Sequence, residues 1–266
     1  MTAAAEVADL ALVAASDILG CGCMEATGPA GEAILDFWVP APGPDPAVLA
    51  ARLADRGVGA RVEAHPQDDA WRRAMLEFHR PVEVAGRLLV RPPWEPPRPP
   101  LLDVEIDPGM AFGTAQHGTT RACLELLAGL PVVPGGLLDA GCGSGVLSIA
   151  ARRLGFDPVW SIDFDQLAVD ATIDNARRNG VGLRVARRAI GGDALPATPT
   201  VMANLTATVL RLLAPALPAP GPTRLVASGM RPEEVDGVVA AFAERGLSEA
   251  RRVVDEGWAS VLLERR

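Results

Sequence analysis

The spacing of apolar positions changes along this chain, and each change marks an element. Leu137 and Leu138 run without a break into Asp139, then Gly141, Gly143 and Gly145 follow, and Val146, Leu147, Ile149 and Ala150 recur at helical spacing. This pattern predicts a buried strand, a tight glycine turn and a helix. Pro158 to Asp163 reads as a second strand with a carboxylate at its end. A helix from Gln166 to Asn179 closed by Gly180 comes next, then a strand over 183–190 and a Gly191-Gly192-Asp193 turn. Thr200 to Asn204 reads as a strand, followed by a helix through Leu213 that Pro215 ends. Arg224 to Gly229 is a strand, Pro232 to Gly246 a helix, and Glu249–Asp255 with Ala259–Leu263 a closing hairpin. Strands alternating with helices predict a mostly parallel sheet covered on both faces, with the hairpin adding an antiparallel strand.

The front of the chain has a different rhythm. Residues 3–19 carry a helical pattern through Val7, Leu10, Leu12, Val13 and Ile18, so the chain is expected to begin with a helix. Ala33 to Val39 reads as a strand, 46–56 as a helix ended by Gly57, and Ala60 to Ala64 as a strand. Asp69 is expected to cap a helix through Trp71, Met75 and Phe78, and Val82 to Val90 to form a hairpin or a bent strand. Together these predict a small α+β domain with one helical face. Pro92 to Pro100 holds six prolines in nine residues, which neither a helix interior nor a central strand tolerates. It reads as a stiff linker, giving a small domain over 1–91, a linker over 92–100 and a second domain over 101–266. That second domain opens with a strand over Leu101–Ile106 and a turn-rich stretch over 107–120, and a helix follows to Leu130.

Composition narrows the partners. Apolar residues make up 49 % of the 266, so a sizeable core is available, and no apolar run reaches membrane-spanning length. The start lacks the basic segment of a signal peptide, and a cytoplasmic location is expected. Acids outnumber bases by 33 to 25, a net charge of −8, which argues against a direct nucleic-acid partner and suits a basic protein substrate. Cys21, Cys23, Cys123 and Cys142 form neither a disulfide framework nor a zinc pattern, and His65 and His79 do not pair for a metal.

The candidate chemistry gathers at the strand ends. The run G-C-G-S-G is not the G-x-G-x-x-G that winds around a pyrophosphate, and no phosphate-binding G-x-x-x-x-G-K-[ST] occurs. A nucleoside with a small zwitterionic tail fits better, which points to S-adenosylmethionine. Gly141, Gly143 and Gly145 would hold its methionine part through backbone contacts. Asp163 would accept both hydrogen bonds of the ribose diol. Asp139 would meet the ammonium, directly or through water, or else simply cap its strand. Asp193 would accept from the adenine amino group, or else only form its turn. Asn204 would accept from an incoming amine, or else cap the helix that follows. Thr119 and Thr120 would offer hydroxyls to a carboxylate, in a loop that also carries Phe112 and His117.

These residues lie in stretches that resemble the ribosomal protein L11 methyltransferase family. Ile106-Asp-Pro-Gly-Met-Ala-Phe-Gly-Thr-Ala-Gln-His-Gly-Thr-Thr120 is similar to a family loop of the form D-P-G-x-A-F-G-T-G-x-H-x-T-T. Leu138 to Gly145, Ile162 to Asp165, Asp174-Asn-Ala-x-x-Asn-Gly180, Ala203 to Leu205, Trp71 to Ala74 and Pro93 to Glu95 go with it. The family usually has Gly where Ala115 stands and Pro where Gly118 stands.

The resemblance implies a class I, Rossmann-like methyltransferase with a mostly parallel seven-stranded sheet and a terminal antiparallel hairpin. A ferredoxin-like domain that recognises the substrate protein would precede it. It further implies that Thr119 and Thr120 contact the methionine end of the cofactor, that Phe112 and Gly113 close its pocket, and that Asp163, Asp193 and Asn204 serve ribose, adenine and acceptor amine. The expected activity is S-adenosylmethionine-dependent N-methylation of amino groups of ribosomal protein L11, at the N-terminal α-amine, lysines or both, by a monomer without metal or membrane association. A methyltransferase of another protein, peptide or small amine and a non-catalytic binding module are the alternatives.

Overall fold

A computed structural model describes residues 2–3, 11, 14–15, 18–19, 23–27, 33–37, 39, 43–64, 78–108 and 115–265. The expected helix through Trp71 and Met75 lies outside the described residues, apart from Phe78 at its end. The chain divides into two compact units, Met1–Arg72 and Arg73–Arg266.

The front unit holds strands β1 (Thr2–Ala3), β2 (Cys23–Thr27), β3 (Ala33–Phe37) and β4 (Ala60–Arg61) and helix α1 (Pro46–Ala54). All its pairings are antiparallel, in the order β2-β3-β1-β4. The chain therefore begins with a strand rather than the expected helix; β1 is flanked on both sides, and residues 11, 14–15 and 18–19 are helical. The α1 start follows its sequence: Asp45 Oδ1 accepts from the Ala47 N–H at 2.7 Å, and Pro46 occupies a position whose missing N–H costs nothing. Leu49 and Leu53, one turn apart, pack with Leu35 and Val58 in this unit's own core.

The second unit contains a seven-stranded sheet built from β8 (Leu137–Ala140), β9 (Val159–Asp163), β10 (Arg184–Arg187), β11 (Thr200–Asn204), β12 (Arg224–Met230), β13 (Leu247–Asp255) and β14 (Trp258–Arg265). Its order is β10-β9-β8-β11-β12-β14-β13. The first five strands are parallel, and β14 runs antiparallel between β12 and β13. Successive strand residues enter opposite cores, which is why these strands read as unbroken apolar runs. Leu137, Met202 and Val226 face the core of helices α2 (Gly118–Gly129) and α3 (Val146–Leu154). Leu138, Val201, Ala203 and Ala227 face α5 (Ala207–Ala216) and α6 (Val235–Ala243), while α4 (Gln166–Arg178) packs beside β9 and β10. Pro215 lies inside α5, in its last turn, instead of ending it.

The expected boundary at the proline run takes a different form. Strands β5 (Val82–Val84), β6 (Leu88–Arg91) and β7 (Leu102–Glu105) form one sheet, in which β6 pairs parallel with β7 across residues 92–101. The prolines thus fill a crossover inside the second unit, and Val84, Leu88, Val90 and Val104 share a core with α2 and α3. Arg91 holds this crossover. It is buried, grips the Asp103 carboxylate with two bonds of 2.6 and 2.7 Å, reaches Glu105 at 3.0 Å, and donates to the Glu95 carbonyl at 2.7 Å. A paired guanidinium can be buried there because carboxylates and carbonyls take up its donors.

Candidate active site

Strand order reverses between β8 and β11, and in open parallel sheets ligands gather at the C-terminal strand ends beside such a point. Gly141, Gly143 and Gly145 all take left-handed backbone angles there, with φ of 79°, 53° and 83°. The space is as restrictive as the angles. A Cβ on Gly141 would come 2.4 Å from Leu205, and one on Gly145 would press on Thr172 at 3.0 Å. The Gly141 and Cys142 N–H groups both donate to the Ile162 carbonyl, tying the turn to the end of β9.

Asp163 stands opposite. Its Oδ2 accepts from the Gly143 N–H at 3.1 Å and its Oδ1 from the Asp165 N–H at 3.1 Å. Each carboxylate oxygen keeps a further lone pair, enough for the two hydroxyls of a diol. A cavity of about 440 Å³ opens between them, within the range of small-molecule sites. Gly141, Gly143, Asp163, Thr120 and Asn204 all line it, and Ile162, Phe164, Ile190, Leu205 and Leu212 supply an apolar wall. Bare glycine backbone, one carboxylate and a flat apolar wall are what S-adenosylmethionine needs, so the residues present fit that cofactor. Sequence reasoning missed the wall. Phe164 and Leu212 are exposed apolar residues whose only local sign was their place beside Asp163 and on the helix after Asn204.

Asp139 lies beneath the turn rather than in the lining. It is fully buried, and its Oδ2 accepts from Ser148 Oγ at 2.7 Å, which in turn meets Ser161 Oγ at 2.6 Å. Its Oδ1 has no hydrogen-bond partner. Burial pushes its pKa up to about 7, the Ser148 hydrogen bond opposes the rise, and the nearby Asp163 charge adds to it. Cys142 packs below the turn with Thr172 Oγ1 at 3.2 Å, and burial raises its pKa. Burial likewise pushes Cys123 up to about 12, so neither thiol is a nucleophile at neutral pH.

The acceptor side is built on α2 and β11. Asn204 Nδ2 donates to Thr119 Oγ1 at 3.2 Å and to Thr120 Oγ1 at 3.4 Å. Both amide hydrogens are then engaged, and Oδ1 is the acceptor that remains for a ligand. The threonines are buried, and Thr119 is fixed from behind: its N–H and its hydroxyl both meet His117 Nδ1, at 3.3 and 2.8 Å. That makes His117 the cap of α2, with Nδ1 facing the Thr119 N–H. The His117 ring meets Trp258 edge-on at 5.4 Å, and Arg231 stacks over Trp258 at 4.1 Å.

The structure thus brings together Gly141, Gly143, Asp163, Thr119, Thr120 and Asn204, with Asp139 and Gly145 in support. Asp193 is not among them. It is exposed, its Oδ2 accepts at 2.7 Å from the N–H of Ala189, which lines the cavity, and it lies outside the lining itself. Phe112 and Gly113 lie outside the described residues. Among the described residues no group of His, Cys, Asp and Glu is arranged for a metal, and no helix is long and apolar enough to cross a membrane.

The chain is similar to known proteins. The family model for ribosomal protein L11 methyltransferase (PrmA) matches residues 52–266. A ribosomal protein L11 methyltransferase of Methylococcus capsulatus is 37 % identical over 222 residues, covering 82 % of this chain and 75 % of its own length. One from Syntrophotalea carbinolica is 40 % identical over 203 residues, covering 71 % of this chain and 63 % of its own length. The crystal structure of a ribosomal protein L11 methylase from Lactobacillus delbrueckii subsp. bulgaricus superposes with a TM-score of 0.62 at 26 % identity, over 71 % of this chain and all of that one. On these matches the chain belongs to the ribosomal protein L11 methyltransferase family and is an S-adenosylmethionine-dependent methyltransferase of the class I fold.

Proposed function

We propose that this protein methylates amino groups of ribosomal protein L11, the substrate named for its relatives. The observation that carries the reading is the single cavity that joins the glycine turn and Asp163 to Asn204. Gly141 and Gly143 hold the methionine end of the cofactor, Asp163 the ribose, and Ile162, Phe164 and Leu212 the adenine. When bound, S-adenosylmethionine supplies an electrophilic methyl group. The chain's own task is then to present a neutral amine. Asn204 Oδ1 accepts one amine N–H and so turns the nitrogen lone pair inward, while Thr119 and Thr120 keep the amide from rotating. An α-amine, with a reference pKa of about 7.7–8.0, keeps a useful fraction of free base at physiological pH, whereas lysine near 10.4 needs desolvation. No general base is assigned, and placement carries the catalysis.

The front unit is read as a ferredoxin-like module that recognises the substrate protein. The strand order β2-β3-β1-β4, with helical residues between β1 and β2 and α1 between β3 and β4, supports that reading. A net charge of −8 suits a basic partner and disfavours direct nucleic-acid contact, and we read the protein as a cytoplasmic monomer. The test is incubation with methyl-labelled S-adenosylmethionine and unmodified L11, followed by intact-mass spectrometry. Stepwise methyl gains on L11, abolished in Asp163→Ala, are expected. Cofactor binding without any gain on L11 would redirect the activity to another amine; absence of cofactor binding would remove the catalytic reading.

A further inference from the structure

Two asparagines of α4 and its cap face the chain where it leaves β7. Asn175 is buried; its Oδ1 accepts the Asp107 N–H at 3.0 Å and its Nδ2 donates to the Ser144 carbonyl at 2.9 Å. One helical turn later, Asn179 Oδ1 accepts the Glu105 N–H at 2.9 Å and its Nδ2 donates back to the Glu105 carbonyl at 2.6 Å. Two periods match here. Residues i and i+2 of an extended chain present their N–H groups on one edge about 6.7 Å apart, and residues i and i+4 of a helix lie about 6 Å apart. The helix edge thereby takes the place of a neighbouring strand.

The two side chains differ in what they join. Asn179 returns to Glu105 and to the Asn175 carbonyl, so its contacts stay between β7 and α4. Asn175 spans two segments. Asp107 lies just past the end of β7, and Ser144 sits inside the glycine turn. We infer that Asn175 is a positioning residue: it ties the chain leaving β7 to the glycine turn at Ser144 and so fixes the turn that forms the cofactor side of the cavity. The inference rests on the cavity's reading as the cofactor site. The chemistry restricts the residue type, because one buried side chain must supply one donor and one acceptor. Aspartate would set an oxygen against the Ser144 carbonyl, and serine would reach neither partner. The exposed Arg178–Asp107 pair at 2.9 Å is a weak substitute.

The test compares Asn175→Asp, Asn175→Ser and Asn179→Ser in the full chain. Calorimetric titration with S-adenosylhomocysteine is set beside thermal unfolding and the kcat and KM of methyl transfer. Both Asn175 variants are expected to weaken ligand binding by about tenfold or more and to raise the KM for the cofactor, whereas Asn179→Ser loses thermal stability with affinity within about twofold of the parent. If Asn175→Asp does not fold, Asn175→Ser decides. Parent-like binding by the Asn175 variants, or a loss matched by Asn179→Ser at equal thermal stability, would reduce Asn175 to a structural residue and overturn the inference. A parent protein that binds no S-adenosylhomocysteine would overturn the cavity reading beneath it as well, a distinguishable result.

Discussion

Asp163 and Asp193 invite comparison, since each follows one of two neighbouring parallel strands on the same side of the sheet. Asp163 ends β9 and reaches back twenty residues to the Gly143 N–H, which places its carboxylate on the cavity. Asp193 lies beyond β10 and bonds to Ala189, only four residues away, on an exposed turn. A local bond forms wherever the turn forms and says nothing about a ligand. The long bond exists only if β8 and β9 pair, and it commits the carboxylate to the point where the strand order reverses. The same distinction separates Asn204, held by threonines more than eighty residues earlier, from an asparagine that merely caps the next helix; Thr206 takes that place in α5.

Substitutions should separate these classes, and the widest gap is between the two aspartates. Asp163→Ala is expected to cost two charge-assisted hydrogen bonds to the cofactor, about 3 kcal/mol or roughly 100-fold in affinity, while Asp193→Ala stays within about threefold. Calorimetric titration of both variants checks this, and equal losses would erase the distinction. Next in size, Asn204→Ala should lower kcat by roughly 10- to 100-fold while cofactor affinity stays within about threefold, because Asn204 serves the acceptor. Steady-state kinetics with saturating cofactor reads the first quantity, and a binding titration the second.

A third expectation concerns Asp139, whose contacts are neighbours in the fold but whose charge is buried. Its folded pKa of about 7 lies above the reference value of 3.8, so the folded state holds this proton more tightly than the unfolded chain does. Its contribution is full below that reference value and is lost as pH rises through the folded pKa. The stability slope it imposes in that window approaches about 1.4 kcal/mol per pH unit. Asp139→Asn should remove this slope, and denaturant unfolding at several pH values between 4 and 7 would show it; an unchanged slope in the variant would place the titration elsewhere. The smallest effect is expected at Ala115, which adopts φ 63° while buried. Glycine there relieves left-handed strain of about 1–2 kcal/mol but loses a buried methyl worth about 0.8 kcal/mol and adds chain entropy. Ala115→Gly should therefore change stability by less than about 1 kcal/mol, as thermal unfolding would show.

Legibility in the sequence followed the same division. Strands buried on both faces announce themselves, so Leu137–Ala140, Val159–Asp163 and Thr200–Asn204 were readable as strands and their ends as a ligand site. The glycines were equally plain, because turn geometry leaves few alternatives. The pairing of β6 with β7 was not readable. A proline run between two short strands resembles a linker, and only the buried Arg91 with Asp103 and Glu105 marks it as a crossover. Asn175 and Asn179 stood out as a motif, yet their partners lie 68 and 74 residues earlier, beyond what any local pattern discloses. Asp193 carried the opposite problem, since a Gly-Gly-Asp turn satisfies its own aspartate.

The most direct measurement is a crystal structure of the protein with S-adenosylhomocysteine. The account predicts ribose hydroxyls on the Asp163 carboxylate, the amino-acid tail along Gly141 and Gly143, the base against Phe164 and Leu212, and Asp193 untouched. A ligand bound outside this cavity, or one whose sugar avoids Asp163, would contradict it.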